Sequence, residues 1–271
     1  MDHNAGVTPV VAQRPVSMIA REVVRGSNWV ALARMPRRYP DLLQSARRYF
    51  GARGDYPWDC RVRTPLGVVA PRLHGPHDMF TINEVFCRED YRAGPDDRVV
   101  VDVGSNIGIS ALYFLTRAPD VRCHLFEPVP RNVERLRSNL HDYENRYTLE
   151  PAAVADRAGT VAFGIESTGR YGGIGVATAE AIEVRCLEIN DVLERVLDDS
   201  PAIDVLKLDT EGAEAATVRA IRPDLLARVR RIYLETGDPA AVHPDGFDAH
   251  FASDTLALTN RRRQREFDGR W

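Results

Sequence analysis

Residues 99–108 read VVVDVGSNIG, and this stretch decides how the chain is expected to fold. Four valines surround Asp102, a pattern typical of a strand that is buried on both faces. Gly104 and Gly108 then bracket a tight turn, and the apolar residues after it predict a helix over 109–117. Such a turn offers a ligand backbone N–H groups and a helix N-terminus, but any βα turn of an α/β protein shares the pattern.

Strands and helices alternate after this stretch. The sequence predicts strands at 99–103, 121–126, 147–149, 152–154, 203–208 and 231–234, helices at 109–117, 131–140, 187–197 and 213–221, a hairpin region over 160–186, and a final strand pair at 255–258 and 264–267. The alternation indicates an α/β fold, with a largely parallel sheet and helices on both faces. In such sheets a ligand binds at the carboxyl ends of the strands, where the strand order reverses.

The chain is predicted to divide into an N-terminal extension, residues 1–95, and a main domain, residues 96–271. Within the extension we expect disorder over 1–15 and helix over 16–50, with a break at Met35–Pro36.

Charge is unevenly distributed along the chain. Residues 1–75 hold 12 arginines against 5 acidic residues, a net charge of +7. The remainder holds 24 basic against 34 acidic residues, a net charge of −10. A basic arm suits anionic ligands or nucleic acid, but we favour a solvated face packed on an acidic body.

Composition narrows the class of protein. The 271 residues are 44% hydrophobic, which suits a globular core, and no run of eighteen apolar residues predicts a membrane span. The first fifteen residues lack the charged start and apolar stretch of a signal peptide. The four cysteines are far apart, without a C-x-x-C pair, so we expect reduced thiols in a cytoplasmic protein rather than a disulfide framework or a zinc site.

The glycine turn indicates the kind of ligand. A dinucleotide fold has G-x-G-x-x-G, and its middle glycine lets a pyrophosphate approach the backbone. Here Asn106 holds that position, beside Ser105, so a smaller ligand without phosphate is expected. Asp102 adds negative charge close by, which favours a sulfonium or an ammonium group. The missing glycine also argues against a nicotinamide-dependent dehydrogenase.

Two further strand ends carry candidate binding residues. Glu127 ends the second strand about 20 residues beyond the glycine turn, where an acid accepts hydrogen bonds from both hydroxyls of a ribose. The alternative is a helix-start acid that the dipole favours. Ala153 belongs to a strand of small residues that fits beside an adenine ring, and Asp156 would bond the exocyclic amine or, equally, serve as a turn acid before Gly159.

The segment LKLDTEGAE, residues 206–214, places acids at the end of a buried strand. Asp209 and Glu211 lie where a substrate would meet a cofactor. The helix dipole explains Glu211 well and Asp209 less well. Lys207, the only lysine of the chain, faces the opposite side of the strand from Leu208, and we expect it to pair with a carboxylate.

Four stretches together, VDVGSNIG, FEPVPRNVERLRSNL, AAVADRAG and IDVLKLDTEGAE, resemble the FkbM-type family of S-adenosylmethionine-dependent methyltransferases. The likeness covers roughly residues 84–235. It implies a class I methyltransferase fold, a Rossmann-like sheet of seven strands with the last one antiparallel. It also implies S-adenosylmethionine as the methyl donor and O-methylation of a hydroxyl, often on a sugar, glycolipid or other natural product.

The resemblance also implies roles for individual residues. Gly104, Asn106 and Gly108 would surround the methionine part of the donor, Glu127 the ribose, Asp156 the adenine and Asp209 the sulfonium side. Asp102, Ser105 and Ala153 complete the expected donor site. Many members have an acid, an apolar residue and a histidine after the fifth strand, where this chain has LETGD, residues 234–238.

The reaction needs a base for the acceptor hydroxyl, a contribution of roughly 10²–10⁴-fold. The candidates are Asp209, Glu211, Glu235, Asp238 and His243. Asp209, Glu235 and Asp238 could also hold Mg²⁺, although we favour a solvated acidic rim without metal. The expected partner is a small-molecule or glycan acceptor, with no nucleic acid and with a homodimer left open.

Two other functions remain in competition. They are methylation of an RNA ribose and a non-catalytic nucleotide-binding module. A methylase of base amines would have an Asn/Asp-Pro-Pro-aromatic stretch where DTEG stands.

Overall fold

A computed structural model describes residues 10–11, 14–15, 26–51, 54–165, 172–174, 180–210, 212–236, 240 and 242–264. The chain divides into two compact units. The first comprises residues 1–63 and 68–89, and the second comprises residues 64–67 and 90–271.

Before residue 90 the described strands are short and the helices carry most of the structure. The strands are β1 (Val10–Val11), β2 (Arg14–Pro15), β3 (Trp58–Asp59), β4 (Val62–Thr64), β5 (Gly67–Val69) and β6 (Arg72–Leu73); the helices are α1 (Gly26–Arg38), α2 (Leu42–Gly51) and α3 (Pro76–Ile82), which runs into a π-helical turn, Asn83–Arg88. Arg34 and Arg38 both pair with Glu89, so they fasten α1 to the end of that turn.

The expected break at Met35–Pro36 is wrong. Helix α1 runs through Pro36 to Arg38. Proline removes one N–H donor, but the next turn still closes because Tyr39 N–H donates to the Met35 carbonyl at 2.8 Å. The chain therefore leaves the helix only after residue 38. Residues 16–25 of the predicted helical segment lie outside the described residues.

After residue 90 strands and helices alternate. The strands are β7 (Val99–Val103), β8 (Arg122–Phe126), β9 (Tyr147–Glu150), β10 (Ala153–Ala155), β11 (Gly159–Ile165), β12 (Gly172–Ile174), β13 (Glu180–Glu188), β14 (Ile203–Leu208), β15 (Val229–Glu235), β16 (Phe247–Ala252) and β17 (Thr255–Asn260). The helices are α4 (Ile109–Leu115), α5 (Pro130–Asn139), α6 (Ile189–Asp199), α7 (Glu214–Ala220), α8 (Pro223–Leu226) and α9 (Arg261–Gln264), with a 3₁₀ turn at His141–Arg146.

Within the described residues, seven strands form the main sheet in the order β16-β17-β15-β14-β7-β8-β9. Strands β15, β14, β7, β8 and β9 pair in parallel. Strand β17 is antiparallel to both of its neighbours, so β16 runs in the same direction as the five parallel strands. The predicted class I methyltransferase sheet, mostly parallel with an antiparallel last strand, is confirmed.

Helices cover both faces of this sheet. On one face Val101, Val103 and Leu206 share a core with Val192 of α6 and Val218 of α7. On the other face lies Asp102, whose carboxylate accepts a hydrogen bond from Ser110 of α4 at 2.6 Å. Successive residues of a strand point to opposite faces, so the near-continuous apolar run of β7 is what a strand covered on both sides requires.

The last strand pair differs from the expectation. Strand β17 pairs with β16, whereas Gln264 ends the short helix α9 and residues 265–267 lie outside the described part of the chain. The connecting residues, Ser253 and Asp254, both have left-handed backbone angles, φ 53° and 68°. Such angles suit a two-residue hairpin turn, although the sequence has no glycine there to signal it.

The predicted hairpin region forms a second sheet. Its described strands have the order β10-β13-β11-β12, and β10 pairs in parallel with β13. Its core includes Ala153, Phe163 and Val184, together with Val129 from the segment that follows β8. The second sheet is thereby packed beside the carboxyl end of β8.

Candidate functional site

The strand order reverses between β7 and β14, because β8 lies on the other side of β7. Ligands of open α/β sheets bind at the carboxyl ends of strands near such a point. The turn after β7 and the turn after β14 meet there, since Asp209 N–H donates to the Val103 carbonyl at 3.1 Å. A Cβ on Gly104, whose φ is 78°, would overlap the Asp209 carbonyl oxygen. Glycine is therefore required at position 104 by backbone packing as well as by the turn.

The turn of residues 104–108 is held rigid by backbone hydrogen bonds. Gly104 and Ser105 N–H groups both donate to the Phe126 carbonyl, at 2.9 and 3.1 Å, and Ser105 Oγ donates to the Asp102 carbonyl at 2.8 Å. Asn106, at φ 47°, and Gly108, at φ 85°, adopt left-handed angles. A Cβ on Gly108 would approach Leu136 of α5 to 3.1 Å. The second glycine thus allows α5 to pack against the turn.

Glu127 joins this turn to the end of β8. Its Oε2 accepts from Asn106 N–H at 2.8 Å, and its Oε1 accepts from Val129 N–H at 2.9 Å and Asn132 Nδ2 at 3.3 Å. The side chain is buried. Burial raises the pKa of Glu127 to about 7, against the lowering effect of the hydrogen bonds from Val129, Asn106 and Asn132 and of the Lys207 charge. A carboxylate has about four acceptor sites, and these three donors leave one of them, on Oε2, for a ligand hydroxyl.

A buried ammonium lies between two carboxylates on the α4 side of the sheet. Lys207 and Asp102 are cross-strand partners in register, and Lys207 Nζ lies 3.0 Å from Asp102 Oδ1. Nζ also lies 3.4 Å from Asp209 Oδ2 and donates to the Gly104 carbonyl at 2.9 Å. Asp102 is fully buried and its charge is balanced by Lys207, so of these two carboxylates only Asp209 reaches solvent.

Tyr91 and Glu235 extend this group of residues. The Tyr91 hydroxyl donates to Glu235 Oε1 at 2.6 Å, and its ring centroid lies 5.4 Å from Lys207 Nζ. Burial raises the pKa of Tyr91 well above its ordinary value, and the charges of Glu235 and Asp209 raise it further. Tyr91 therefore stays protonated and acts as a donor. Glu235, at the end of β15, is exposed.

The remaining candidates are placed as follows. Ala153 is buried in the second-sheet core beside Val129, and Asp156 is partly exposed with its carboxylate 3.4 Å from Arg157. His243 is exposed in the segment before β16. Glu211 and Asp238 lie outside the described residues.

The described residues contain neither a metal-binding cluster nor a membrane-spanning helix. Within that part of the chain, no group of three or more His, Cys, Asp or Glu side chains could hold a metal ion. Among the same residues, no helix has both the length and the apolar character needed to cross a bilayer.

The turn after β14 is held by a residue of the next helix. Glu214 is buried, and its carboxylate accepts from Thr210 N–H at 2.8 Å and from Gly212 N–H at 2.8 Å. These bonds cap the start of α7, as a carboxylate at a helix N-terminus does. Glu214 is therefore engaged in fixing the turn that carries Asp209.

Comparison with known proteins shows which family this arrangement belongs to. The family described as "Methyltransferase FkbM domain" matches residues 102–253, from the acid of β7 to the turn between β16 and β17. This chain belongs to the FkbM methyltransferase family. The FkbM domain thus contains the turn of residues 104–108, Glu127, Lys207, Asp209 and Glu235, whereas Tyr91 precedes it.

Several named relatives resemble the chain. It is 25% identical to methyltransferase sdnD of Sordaria araneosa over 69% of this chain and 90% of that one. It is 27% identical to 31-O-demethyl-FK506 methyltransferase FkbM of Streptomyces tacrolimicus over 65% of this chain and 81% of that one. It is 28% identical to 2-O-methyltransferase NoeI of Sinorhizobium fredii over 52% of this chain and 64% of that one. The protein is a methyltransferase of a family that includes O-methyltransferases.

Sequence reasoning missed Tyr91. It lies 144 residues from Glu235 in the chain, in the part of the sequence that was assigned to the N-terminal extension, residues 1–95. A buried tyrosine usually finds a hydrogen-bond partner, but no pattern in the sequence indicates which acid that partner is.

Proposed function

We propose that this protein transfers the methyl group of S-adenosylmethionine to a hydroxyl oxygen of a sugar, glycolipid or other natural product. The observation that carries the proposal is the meeting of Glu127 with the turn of residues 104–108, beside Asp209, at the point where the strand order reverses. The names of FkbM and NoeI, both O-methyltransferases, support oxygen as the accepting atom.

The residues present fit such a donor. Glu127 offers a carboxylate with one acceptor site left on Oε2 for a ribose hydroxyl, and Asp209 offers a partly exposed carboxylate for a cationic group. Ala153 and Asp156 provide a small buried surface and a polar group for the adenine. When bound, S-adenosylmethionine supplies a methyl group on a positively charged sulfur, which is the electrophile of the reaction.

The chain's own contribution is position and proton removal. Holding donor and acceptor in line removes most of the entropic barrier to such a displacement. The acceptor must also lose its hydroxyl proton, and Glu235 takes it, because its exposed carboxylate lies at the end of β15 and is oriented there by the hydrogen bond from the Tyr91 hydroxyl to Oε1. Asp209 instead contacts the Lys207 ammonium at 3.4 Å and is assigned to the donor.

The proposal is tested first on the donor and then on the acceptor. Calorimetry with S-adenosylmethionine and S-adenosylhomocysteine should show binding, and mass spectrometry of the purified protein should detect retained donor or product. Tritiated donor is then incubated with a panel of alkyl glycosides, glycolipids and hydroxylated macrolides, with deoxy analogues as controls. The proposal is supported if the tritiated methyl group is found on an oxygen atom of one panel member.

Two results would overturn it. Absence of heat with both donor and product would remove the cofactor assignment. Label found on nitrogen, or on RNA in preference to every panel member, would replace the acceptor class.

A further inference from the structure

The chain uses lysine once. Of its 36 basic Lys and Arg residues, 35 are arginine and the remaining one is Lys207. That side chain is 2% exposed, on a central strand beside the candidate donor site. The lysine ammonium is a compact point charge. The arginine guanidinium is wider and planar, and its five N–H donors have a fixed geometry. The buried position therefore requires a small cation rather than just a positive charge.

The contacts of Lys207 are unequal. Its ammonium donates to the Gly104 carbonyl at 2.9 Å and lies 3.0 Å from Asp102 Oδ1, while Asp209 Oδ2 is further away at 3.4 Å. Asp102 is fully buried, but the Asp209 side chain is 26% exposed. Lys207 is thus anchored on Asp102 and the turn, and from this fixed position its ammonium contacts the partly exposed carboxylate of Asp209.

The charges of these groups determine what Asp209 can attract. Asp102 and Lys207 cancel, and Asp209 leaves the group of three with a net charge of −1. Burial alone would lower the pKa of Lys207, but the charges of Asp102 and Asp209 outweigh it and raise the pKa above its ordinary value. The ammonium is therefore present at every working pH. The Tyr91 ring, 5.4 Å from Nζ, covers the same charge.

We propose that Lys207 is a positioning residue that orients Asp209, so that the site distinguishes the positively charged methyl donor from its neutral demethylated product. This inference rests on the proposed function. S-adenosylmethionine and S-adenosylhomocysteine share their ribose, adenine and amino-acid groups and differ in the charge at sulfur. The negative charge of Asp209 at the strand ends, added to that of the nearby Glu235, attracts the donor more than the product, and the loss of the methyl group removes that attraction and favours release.

The first test is the ratio of two dissociation constants, measured by calorimetry at low salt. The probes are S-adenosylhomocysteine, S-adenosylmethionine and sinefungin, a stable analogue with an ammonium in place of the sulfonium. We expect Asp209→Asn to weaken both cationic ligands about tenfold relative to S-adenosylhomocysteine, because an attraction between opposite charges is lost. Asp198→Asn, at an exposed acid of α6, is the matched control and should leave the ratio unchanged.

The second test needs no substitution at the site. Because the chain has a single lysine, protein labelled with ¹⁵N-lysine gives one side-chain ammonium signal in an NMR spectrum. We expect this signal to shift on addition of sinefungin and to stay close to its ligand-free position with S-adenosylhomocysteine. A change in fold alone would move the signal equally with both ligands.

The outcomes separate the two proposals. Suppose that sinefungin and S-adenosylhomocysteine both bind, that Asp209→Asn changes their affinities equally, and that the lysine signal responds equally to each. The charge discrimination is then wrong, while the assignment of the donor stands. If neither ligand binds, the proposed function fails and this inference fails with it.

Discussion

The backbone N–H of Asn106 donates a hydrogen bond to Oε2 of Glu127 over 2.8 Å, linking the glycine turn after β7 to the end of β8. The two elements belong to neighbouring parallel strands, so their carboxyl ends lie at the same edge of the sheet. Glu127 therefore has a structural task before any ligand arrives. A ribose that binds to it would find the carboxylate already oriented by three donors.

Replacing Glu127 by alanine is expected to weaken S-adenosylhomocysteine binding at least tenfold. It should also lower the free energy of unfolding by roughly 1–3 kcal/mol, because buried N–H groups of Asn106 and Val129 lose their acceptor. Calorimetry and urea denaturation measure the two effects. Glu150→Ala, at a partly buried acid of β9 that pairs with Arg185 and Arg195, is the control. Wild-type affinity in E127A would show that Glu127 does not contact the ligand.

The raised pKa of Glu127 predicts a pH dependence of stability. A carboxyl that ionises near 7 when folded, but near 4.5 when unfolded, holds more protons in the folded state between those values. Its contribution to the free energy of unfolding is complete below about pH 4.5 and is lost as the pH rises through 7. We expect the wild type to lose roughly 1–3 kcal/mol relative to Glu127→Gln over that window, measured by denaturation at several pH values.

The same ionisation predicts the opposite trend for the ligand. Hydroxyl groups donate more strongly to a carboxylate than to a neutral acid, so affinity for S-adenosylhomocysteine should rise between pH 6 and 8. Glu127→Gln, which cannot ionise, should show no such rise in calorimetry. An equal pH dependence in both proteins would assign it to another group.

Gly104→Ala should destabilise the protein more than an ordinary glycine substitution in the left-handed region. The new Cβ would overlap the Asp209 carbonyl oxygen, so the turn carrying Asp209 must move. Gly246→Ala is the matched control, since its φ is 85° and a Cβ there meets no described atom within 4 Å. In chemical denaturation we expect the control to lose about 1–2 kcal/mol of the free energy of unfolding. G104A should lose at least twice that amount. Equal losses would contradict the close approach.

Tyr91→Phe should reduce methyl transfer to the acceptor found in the panel by about tenfold. The ring over Lys207 is kept, but the hydrogen bond that orients Glu235 is lost, and bonds to charged groups contribute roughly 1.5–3 kcal/mol. Affinity for S-adenosylhomocysteine should hardly change. Tyr233→Phe loses a bond to the Arg92 carbonyl instead, so it controls for the loss of a buried hydroxyl. Similar rates in Y91F and the wild type would exclude the orienting role.

Local sequence patterns were sufficient to predict the order of strands and helices after residue 98. The valine run before Gly104, the acids at 127 and 209, and the alternation of strands with helices all follow from chemistry within a few residues, and the main sheet agrees with them. Turn chemistry was less visible where no glycine marks it. Ser253 and Asp254 form the last hairpin with left-handed angles, so the partner of β17 was misassigned.

By itself the sequence determined an α/β sheet with a glycine turn and acids at successive strand ends, because strand burial and turn formation depend on neighbouring residues. Only the tertiary structure decided which charges meet. Lys207 lies beside Asp102 because β14 pairs with β7 in that register, and Tyr91 reaches Glu235 across 144 residues. Pairing between distant segments depends on the packing of the whole domain, which no local pattern records.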